Sequence, residues 1–252
     1  MCIYSISDYF GRLGNNILQI CTMFIIAKNT ASKYIVKQHP VLTYRVVDII
    51  TCCNCDTVVQ CDSENLQLLP LSLLKKVYKK HLQITDLVPK PLFDIGIHIR
   101  SGDAFRVGTN QHYCQPPLYF YNEILEKNMD KSIVVVYECA KNPVVNKLLT
   151  HYQHKKNIYF YSSDICDDIS TLASCKTLAV SNGTFWLAPF FESNSIESLI
   201  IPDYLLQNIW YSIDVNHEVI SMPDYQLHKK WSSSLEQCKR MLEYSPNLQD
   251  AD

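Results

Sequence analysis

From Phe93 to Phe191 the sequence alternates between short apolar strands and helical segments. Strands are predicted over residues 95–99, 133–137, 157–161 and 177–180, and helices over residues 117–129, 143–152, 167–174 and 184–191. This alternation predicts βαβ units built around a parallel sheet, and therefore an α/β fold. Such sheets bind ligands at the carboxyl ends of their strands, so we expect functional residues in the loops that follow them.

The residues before Phe93 carry a weaker version of the same pattern. Strands are predicted over 2–6, 33–37, 46–50 and 57–60, and helices over 15–28 and 71–81. A segment with two prolines, 88–91, is the predicted linker. We therefore expect an N-terminal half over 1–90, a C-terminal half over 91–215, and a C-terminal helix over 216–252 that packs back on the body.

The predicted C-terminal helix rests on apolar residues at three- and four-residue steps between Asp224 and Tyr244. The residues of this apolar face are Leu227, Trp231, Leu235, Cys238 and Leu242. We expect it to have a structural role.

Charge and hydropathy argue against nucleic acid as a partner and against a membrane span. With a net charge of -2 and no dense block of Lys or Arg, the chain lacks the basic face that nucleic-acid binding needs. The longest apolar runs, 17–27 and 184–191, are far shorter than a membrane span. The first seven residues do not resemble a secretory signal, which predicts a cytoplasmic protein, or a lumenal one if the chain is a fragment of a longer protein.

The cysteines predict neither a disulfide framework nor a metal site. Eleven cysteines, an odd number without an export signal, favour free thiols. The tightest cluster is Cys52, Cys53, Cys55 and Cys61, and its spacing does not match paired zinc ligands. The sequence Asp-x-Asp occurs only at residues 250–252. We therefore predict no metal and no cofactor.

Three loops are suited to binding an anion, and the first joins a strand to a helix. It contains Gly11, Arg12, Gly14 and Asn15. Its glycines let the backbone approach an anion, and the helix start offers unpaired N–H groups. The alternative is a tight turn capped by Asn15.

The second loop, His-Ile-Arg-Ser-Gly-Asp over 98–103, follows the most clearly predicted strand. Alternation along the strand places His98 and Arg100 on one side, where the planar guanidinium of Arg100 can bind a phosphate. The alternative is a structural ion pair between Arg100 and Asp103, with His98 as a hydrogen-bonded core residue.

The third loop, Ser181, Asn182, Gly183 and Thr184, again leads from a strand into a helix and offers hydroxyl and N–H groups. Its alternative is a plain helix cap by Ser181 or Asn182. Asn182 to Thr184 is also a glycosylation sequon, which matters only if the chain is exported. Taken together, the three loops predict a binding site for a diphosphate.

The same three loops resemble a known set of motifs. Gly-Arg-Leu-Gly-Asn at 11–15, His-x-Arg-x-Gly-Asp at 98–103 and Ser-Asn-Gly-Thr-Phe at 181–185 are similar, in that order, to motifs of the GDP-fucose-dependent fucosyltransferases. The resemblance is strongest to glycosyltransferase family 11 and to the protein O-fucosyltransferases. It spans roughly residues 3–200, and the ordered set is more specific than any single motif.

The resemblance implies a GT-B-like fold, that is, two Rossmann-like halves with parallel sheets and the donor between them. It also implies inverting chemistry without a metal. By position, Arg100 resembles the arginine that binds the donor β-phosphate, and Asn15 the asparagine near the diphosphate. His98 matches a residue near the nucleotide, and Ser181, Gly183 and Thr184 match the motif that touches phosphate. Asp164 lies in a region that can reach the guanine.

Two departures from the family pattern bear on the function. Family 11 members usually carry a second arginine where this chain has Ser101, which leaves one positive charge fewer near the leaving group. The chain is also short for such an enzyme, so we expect a minimal N-terminal half, or one that borrows the C-terminal helix.

Inverting transfer needs a group that stabilises the leaving diphosphate and a base that takes the acceptor proton. Arg100 is the candidate for the first role. Asp103, Glu138 and His112 are candidates for the base. Asp103 ranks first, although its position equally suits a partner that orients Arg100.

The sequence thus predicts a glycosyltransferase that uses GDP-fucose and a glycan or glycoconjugate acceptor. Two alternatives stay open. One is an enzyme that uses another nucleotide sugar, and the other is an inactive protein that binds a sugar nucleotide or a glycan.

Overall fold

The computed structural model describes residues 3–6, 9, 11–30, 33–36, 38–44, 58–60, 69–207, 209, 211–225 and 230–246. Within these residues the helices are α1 (Leu13–Asn29), α2 (Leu71–His81), α3 (Leu118–Lys127), α4 (Pro143–Tyr152), α5 (Ile165–Ala173), α6 (Leu187–Glu192) and α7 (Leu235–Glu243). The strands are β1 (Ile3–Ile6), β2 (Lys33–Val36), β3 (Leu42–Tyr44), β4 (Val58–Gln60), β5 (Leu69–Pro70), β6 (Leu82–Ile84), β7 (Phe93–Ile99), β8 (Ile133–Tyr137), β9 (Ile158–Tyr161), β10 (Cys175–Ala179), β11 (Ser198–Pro202), β12 (Tyr211–Ser212) and β13 (His217–Ile220).

The chain forms two compact units. The first contains residues 1–88, 184–194 and 209–215, and the second contains residues 89–183, 195–208 and 216–252. The sequence-based division placed 184–194 and 209–215 in the C-terminal half, and the structure assigns them to the first unit. The physical reason is that α6 packs against α1 and α2, a long-range contact that the order of elements along the chain does not reveal.

The second unit is built on a six-stranded sheet with the order β13-β11-β10-β7-β8-β9. Every neighbouring pair in it is parallel, which confirms the predicted α/β class and parallel sheet. Counted within this unit, β7 is the first strand, β8 the second, β9 the third and β10 the fourth. The order is therefore 3-2-1-4-5-6, that of the Rossmann-like dinucleotide-binding folds.

Continuous apolar runs explain why these strands lie at the centre of the unit. Residues 95–99 of β7 and residues 133–136 of β8 are buried, as is typical of parallel strands covered on both faces. The helix α5 packs against β7, β8 and β10. Gly96 leaves room for both neighbours, because a Cβ at that position would overlap Cys175 at the start of β10 and lie 3.2 Å from Leu172 of α5.

The first unit has a smaller sheet with the order β2-β1-β4, also parallel. Glu192, at the end of α6, joins three elements of this unit. Its carboxylate accepts hydrogen bonds from the Tyr78 hydroxyl and, at 2.6 Å, from the Ile84 backbone N–H, and its carbonyl accepts one from the Lys79 ammonium. These bonds connect α6 to α2 and β6.

In the last part of the chain the structure has two strands that were not predicted and a shorter C-terminal helix than expected. The strands β11 and β13 extend the large sheet and were not predicted. β13 is mostly exposed, so its apolar pattern is weak, whereas β11 has an apolar and largely buried sequence that was overlooked. The C-terminal helix covers Leu235–Glu243 only, and its N-cap is Ser234, which forms a capping box with Gln237. Trp231 is buried but lies before the helix.

Two other expectations concern the cysteines and the membrane. The six cysteines that the structure describes are free thiols: Cys21, Cys114, Cys139, Cys166, Cys175 and Cys238. The cluster from Cys52 to Cys61, the predicted strand over 46–50 and the Asp-x-Asp at 250–252 lie outside the described residues. In the part of the chain that the structure describes, no helix is both long and apolar enough to cross a membrane.

Candidate functional site

Arg100 follows β7 directly and lies at the carboxyl end of that strand. The neighbours of β7 are β8 on one side and β10 on the other, so the strand order reverses between β7 and β10. In doubly wound sheets this reversal opens a crevice above the carboxyl ends of the two strands, and ligands bind there. The loops that begin at Arg100 and at Ser181 border this crevice.

The guanidinium of Arg100 is buried and held on one side by an ion pair. Its Nη2 donates hydrogen bonds to both carboxylate oxygens of Asp103 at 3.1 Å, and its Nε lies 3.4 Å from Oδ1. The ring of Tyr113 packs against the guanidinium, with Cζ 3.9 Å from the ring centroid. A cation–π contact of this kind and the ion pair both offset the cost of burying the charge.

The other edge of the guanidinium, Nη1, lies against Gly183. A Cβ on Gly183 would overlap Nη1 and would lie 3.3 Å from the Arg100 Cδ. Gly183 also has a φ of +118°, a backbone conformation that only glycine adopts readily. No described residue accepts a hydrogen bond from Nη1. The two N–H groups of Nη1 are therefore available to an anion.

His98 and Ser181 connect the two strands that border the crevice. Both are buried, and the Ser181 hydroxyl lies 3.0 Å from His98 Nδ1. The contact confirms that the predicted second and third loops lie next to each other in the second unit. It also matches the alternative prediction in which His98 is a hydrogen-bonded core residue.

Asn182 shapes the wall of the crevice. Its side-chain Nδ2 donates to the backbone carbonyls of His112 and Cys114, at 2.6 and 2.8 Å. These two bonds hold the segment that carries Tyr113, so Asn182 supports the arginine through Tyr113. Sequence reasoning did not single out Tyr113, because its contact with Arg100 depends on how two separate loops fold.

Ser101 is fully buried, and its side chain is engaged inside the protein. Its hydroxyl accepts a 2.8 Å hydrogen bond from the Asn142 backbone N–H, and its own N–H donates at 3.2 Å to Glu138 Oε2. Asn142 in turn donates from Nδ2 to the Arg100 carbonyl at 3.0 Å and caps α4. The position where family 11 usually has an arginine thus connects the loop after β7 to the loop after β8.

Three carboxylates, those of Asp164, Asp167 and Asp168, lie close together between the end of β9 and the first turn of α5. Asp164 is exposed and caps α5 by accepting from the Asp167 N–H at 2.9 Å. Burial, and then the nearby carboxylates of Asp167, Asp164 and Glu138, raise the pKa of Asp168 to about 7, against the effect of the Ser163 N–H that it accepts. Sequence reasoning missed Asp168, since its burial is not visible in the sequence.

The glycine loop of the first unit has its own set of contacts. The helix α1 begins at Leu13, so Asn15 lies in its first turn and does not cap it. Asn15 Oδ1 accepts a 2.8 Å hydrogen bond from the Thr184 hydroxyl. Gly11 and Arg12 are exposed, and Gly14 is buried under the Thr184 carbonyl. The alternative in which Asn15 caps the helix was therefore wrong, since the N-cap is Arg12.

Of the predicted site residues, the second unit brings together His98, Arg100, Asp103, Ser181, Asn182 and Gly183. The first unit brings together Asn15 and Thr184. Across the described ranges, no group of three His, Cys, Asp or Glu side chains is arranged to hold a metal ion. No protein-family model matches the chain, and no curated protein matches its sequence.

Proposed function

We propose that this protein is an inverting glycosyltransferase that needs no metal and transfers fucose from GDP-fucose to a hydroxyl of a glycan or glycoconjugate. The observation that carries the proposal is the Arg100 guanidinium at the reversal of the strand order, with Nη1 against Gly183 and without an acceptor among the described residues. A guanidinium in a preformed crevice of this type is suited to a diphosphate.

The proposed chemistry depends on the charge that builds up on the departing diphosphate. Asp103 and Tyr113 hold the guanidinium before any ligand arrives, so little reorganisation is needed when the bond to the sugar breaks. The lack of a side chain at Gly183 makes room for the Arg100 guanidinium itself, since a Cβ there would overlap Nη1. In this proposal Arg100 both binds the donor and stabilises the leaving group.

Asp103 has two proposed roles, and the ion pair favours one of them. Both of its oxygens accept hydrogen bonds from Arg100, so the carboxylate is engaged by the guanidinium. We therefore assign Asp103 to orienting Arg100. Glu138 and His112, both exposed, then stay as candidates for the base.

The remaining predicted donor contacts are part of the same proposal. We assign the donor-binding half of a GT-B-like enzyme to the second unit, where His98, Ser181 and Asn182 build the crevice. In the first unit, Gly11, Arg12, Gly14, Asn15 and Thr184 stay candidates for donor contacts, as does Asp164 for the guanine. The proposed partner is a nucleotide sugar, with no cofactor.

The first experiment is thermal unfolding of the full chain with GDP, UDP, ADP or GDP-fucose, each with and without a chelator. At about 100 times the dissociation constant, a ligand that binds only the native state adds about 2.7 kcal/mol to the free energy of unfolding. We expect GDP and GDP-fucose to raise the melting temperature, and the chelator to have no effect. A lack of response to all four nucleotides would contradict the proposal.

A matched pair of variants tests the role of Arg100. Arg100→Lys keeps the charge but removes the planar fork, which should weaken GDP binding about 10- to 100-fold, since a hydrogen bond to a charged group contributes about 1.5–3 kcal/mol. Arg106→Lys makes the same change at an exposed position of the same loop and should leave binding unchanged. Unfolding without nucleotide shows whether each variant is folded.

A second candidate, transfer of a different sugar, is favoured by Ser101. Its hydroxyl is buried and engaged with Asn142, so the site lacks the second cation of family 11. A preference for UDP or ADP in the thermal experiment would support this candidate. Nucleotide binding without turnover over a broad acceptor panel would instead indicate an inactive binding protein.

A further inference from the structure

Two side chains of one long loop, residues 100–117 between β7 and α3, hold the guanidinium of Arg100. Asp103 accepts hydrogen bonds from its Nη2, and the ring of Tyr113 packs against its face. The two side chains lie in different arms of the loop, and the middle of the loop, residues 106–108, is exposed. The direction of the guanidinium therefore depends on what holds each arm in place.

Trp231, from the C-terminal part of the same unit, contacts both arms of this loop. Its indole N–H donates a 2.6 Å hydrogen bond to the carbonyl of Ala104, the residue after Asp103. Its ring packs edge-on against Phe105, with the ring centroids 5.5 Å apart. Its backbone N–H donates to the Gln111 carbonyl at 2.9 Å, in the other arm. Trp231 and Ala104 are buried, so water does not replace the indole bond if it is lost.

We propose that Trp231 is a positioning residue of the diphosphate site, which acts on Arg100 through Asp103. The inference rests on the proposed function and adds the part of the fold that sets the direction of the guanidinium. The indole bond fixes the Ala104 carbonyl, and with it the backbone next to the carboxylate that accepts from Nη2. A displacement of this arm would turn Nη1 away from its position against Gly183. A guanidinium contacts a phosphate through N–H groups in a fixed plane, so this rotation would weaken diphosphate binding.

A positioning role differs from a purely structural one in how Trp231 and Asp103 depend on each other. A tryptophan that only stabilised the fold would affect nucleotide binding to the same extent with and without the Asp103 carboxylate. A positioning residue matters for binding only while the ion pair with Arg100 is present. Residues that act on one site together have non-additive effects, whereas the effects of independent residues add. The double-mutant cycle between Trp231 and Asp103 is therefore the decisive measurement.

The experiment is calorimetric titration of the full chain with GDP, or with UDP or ADP if the wild-type protein binds that nucleotide more tightly. Trp231→Phe keeps an aromatic ring but removes the indole N–H. We expect its affinity to fall about fivefold to tenfold, which is part of the value of one hydrogen bond to a charged group. In the Asp103→Asn background the same change should alter the affinity by less than about twofold. As a control, Ile124→Val, at a buried position of α3 in the same unit, should lower the melting temperature and keep the wild-type affinity.

The outcomes separate this inference from the proposed function. If the wild-type protein binds a nucleotide and folded Trp231→Phe keeps the wild-type affinity, the positioning role is wrong while nucleotide binding stands. The same holds if Trp231→Phe loses an equal factor with and without the Asp103 carboxylate. If the wild-type protein binds none of GDP, UDP and ADP, the proposed function and this inference are both wrong.

A measurement on the wild-type protein covers the case in which Trp231→Phe does not fold. The chain has three tryptophans, so its indole N–H groups give three nuclear magnetic resonance signals. The variants Trp186→Phe and Trp210→Phe assign the signal of Trp231 by elimination. Because the indole N–H of Trp231 is bonded next to Asp103, we expect its signal to shift when the nucleotide saturates the protein. An unchanged Trp231 signal in the saturated protein would overturn the inference.

Discussion

At the scale of single residues, His39 of the first unit is fixed in one tautomer by its surroundings. Its Nδ1 accepts hydrogen bonds from the backbone N–H groups of Val41 and Leu42, both at 3.1 Å. The other ring nitrogen, Nε2, therefore carries the proton and donates to Asn16 Oδ1 at 3.0 Å. Burial lowers the pKa of His39, so the folded protein keeps this ring neutral.

This tautomer predicts a loss of stability in mild acid. Because the folded-state pKa is below the unfolded value of about 6.5, the unfolded chain binds more protons as the pH falls. The contribution of His39 is thus fully present above pH 6.5 and decreases as the pH falls towards the lowered pKa. We expect urea unfolding between pH 7.5 and 5 to show this slope, and His39→Gln to reduce it. An unchanged slope in the variant would contradict the assignment.

The sequence predicted the polar residues of the candidate site better than their contacts. Strand alternation and the strand-to-loop boundaries were sufficient to select His98, Arg100, Ser181 and Gly183, because these are local features. The stacking of Tyr113 on Arg100 and the raised pKa of Asp168 depend on loops and burial that only the folded chain defines. Long-range contacts of this kind leave no local pattern in the sequence.

At the scale of elements, the start of α1 packs closely against the segment at Thr184. Gly14 lies in the first turn of α1, and a Cβ there would overlap the Thr184 backbone carbonyl. The contact lies between two backbones, so no side-chain rotation can relieve it. The glycine is therefore needed for space, and helix propensity alone would favour alanine.

In most helices a change from glycine to alanine stabilises the protein, and at Gly14 we expect the opposite. Gly14→Ala should gain about 1 kcal/mol from helix propensity but lose more to overpacking, which typically costs about 1–3 kcal/mol. We expect a lower melting temperature and a lower urea midpoint. Lys28→Ala, at an exposed position of the same helix, should change the free energy of unfolding by no more than about 0.5 kcal/mol. Stabilisation by Gly14→Ala would show that the two segments separate easily.

The C-terminal helix shows why a periodic apolar pattern can mislead. Leu235 and Trp231 fit the predicted apolar face, yet Leu235 is 90% exposed. Trp231 is buried in a segment without regular structure, and its indole N–H donates to the Ala104 carbonyl. Met241, which the predicted face did not include, is the buried residue of α7. The capping box at Ser234 sets the start of the helix, and this shifts the face that packs.

At the scale of the whole molecule, the first unit is discontinuous in sequence. Its α1 and α2 pack against α6, which comes from residues 184–194. The second unit contains all six strands of the large sheet within residues 89–252. The two units should therefore differ in how well they survive separation.

Two fragments of the chain, expressed separately, test whether the units differ in stability. The fragment of residues 1–88 lacks α6, including the Glu192 carboxylate that binds Tyr78 and Ile84, and we expect it to melt without a cooperative transition. The fragment of residues 89–252 should keep a cooperative transition and the circular dichroism of a parallel α/β sheet. A cooperative melt of residues 1–88 would show that α6 adds little to the stability of the first unit.

The insertion of α6 into the first unit also has a consequence for biosynthesis. A ribosome releases residues 1–88 first, but the helix that completes their core emerges only after residues 89–183 have been made. At about 5–20 residues per second this delay is about 5–20 s, far longer than a small domain takes to fold. During that interval the surfaces of α1 and α2 that pack on α6 are uncovered, and we expect a chaperone to bind the nascent chain there.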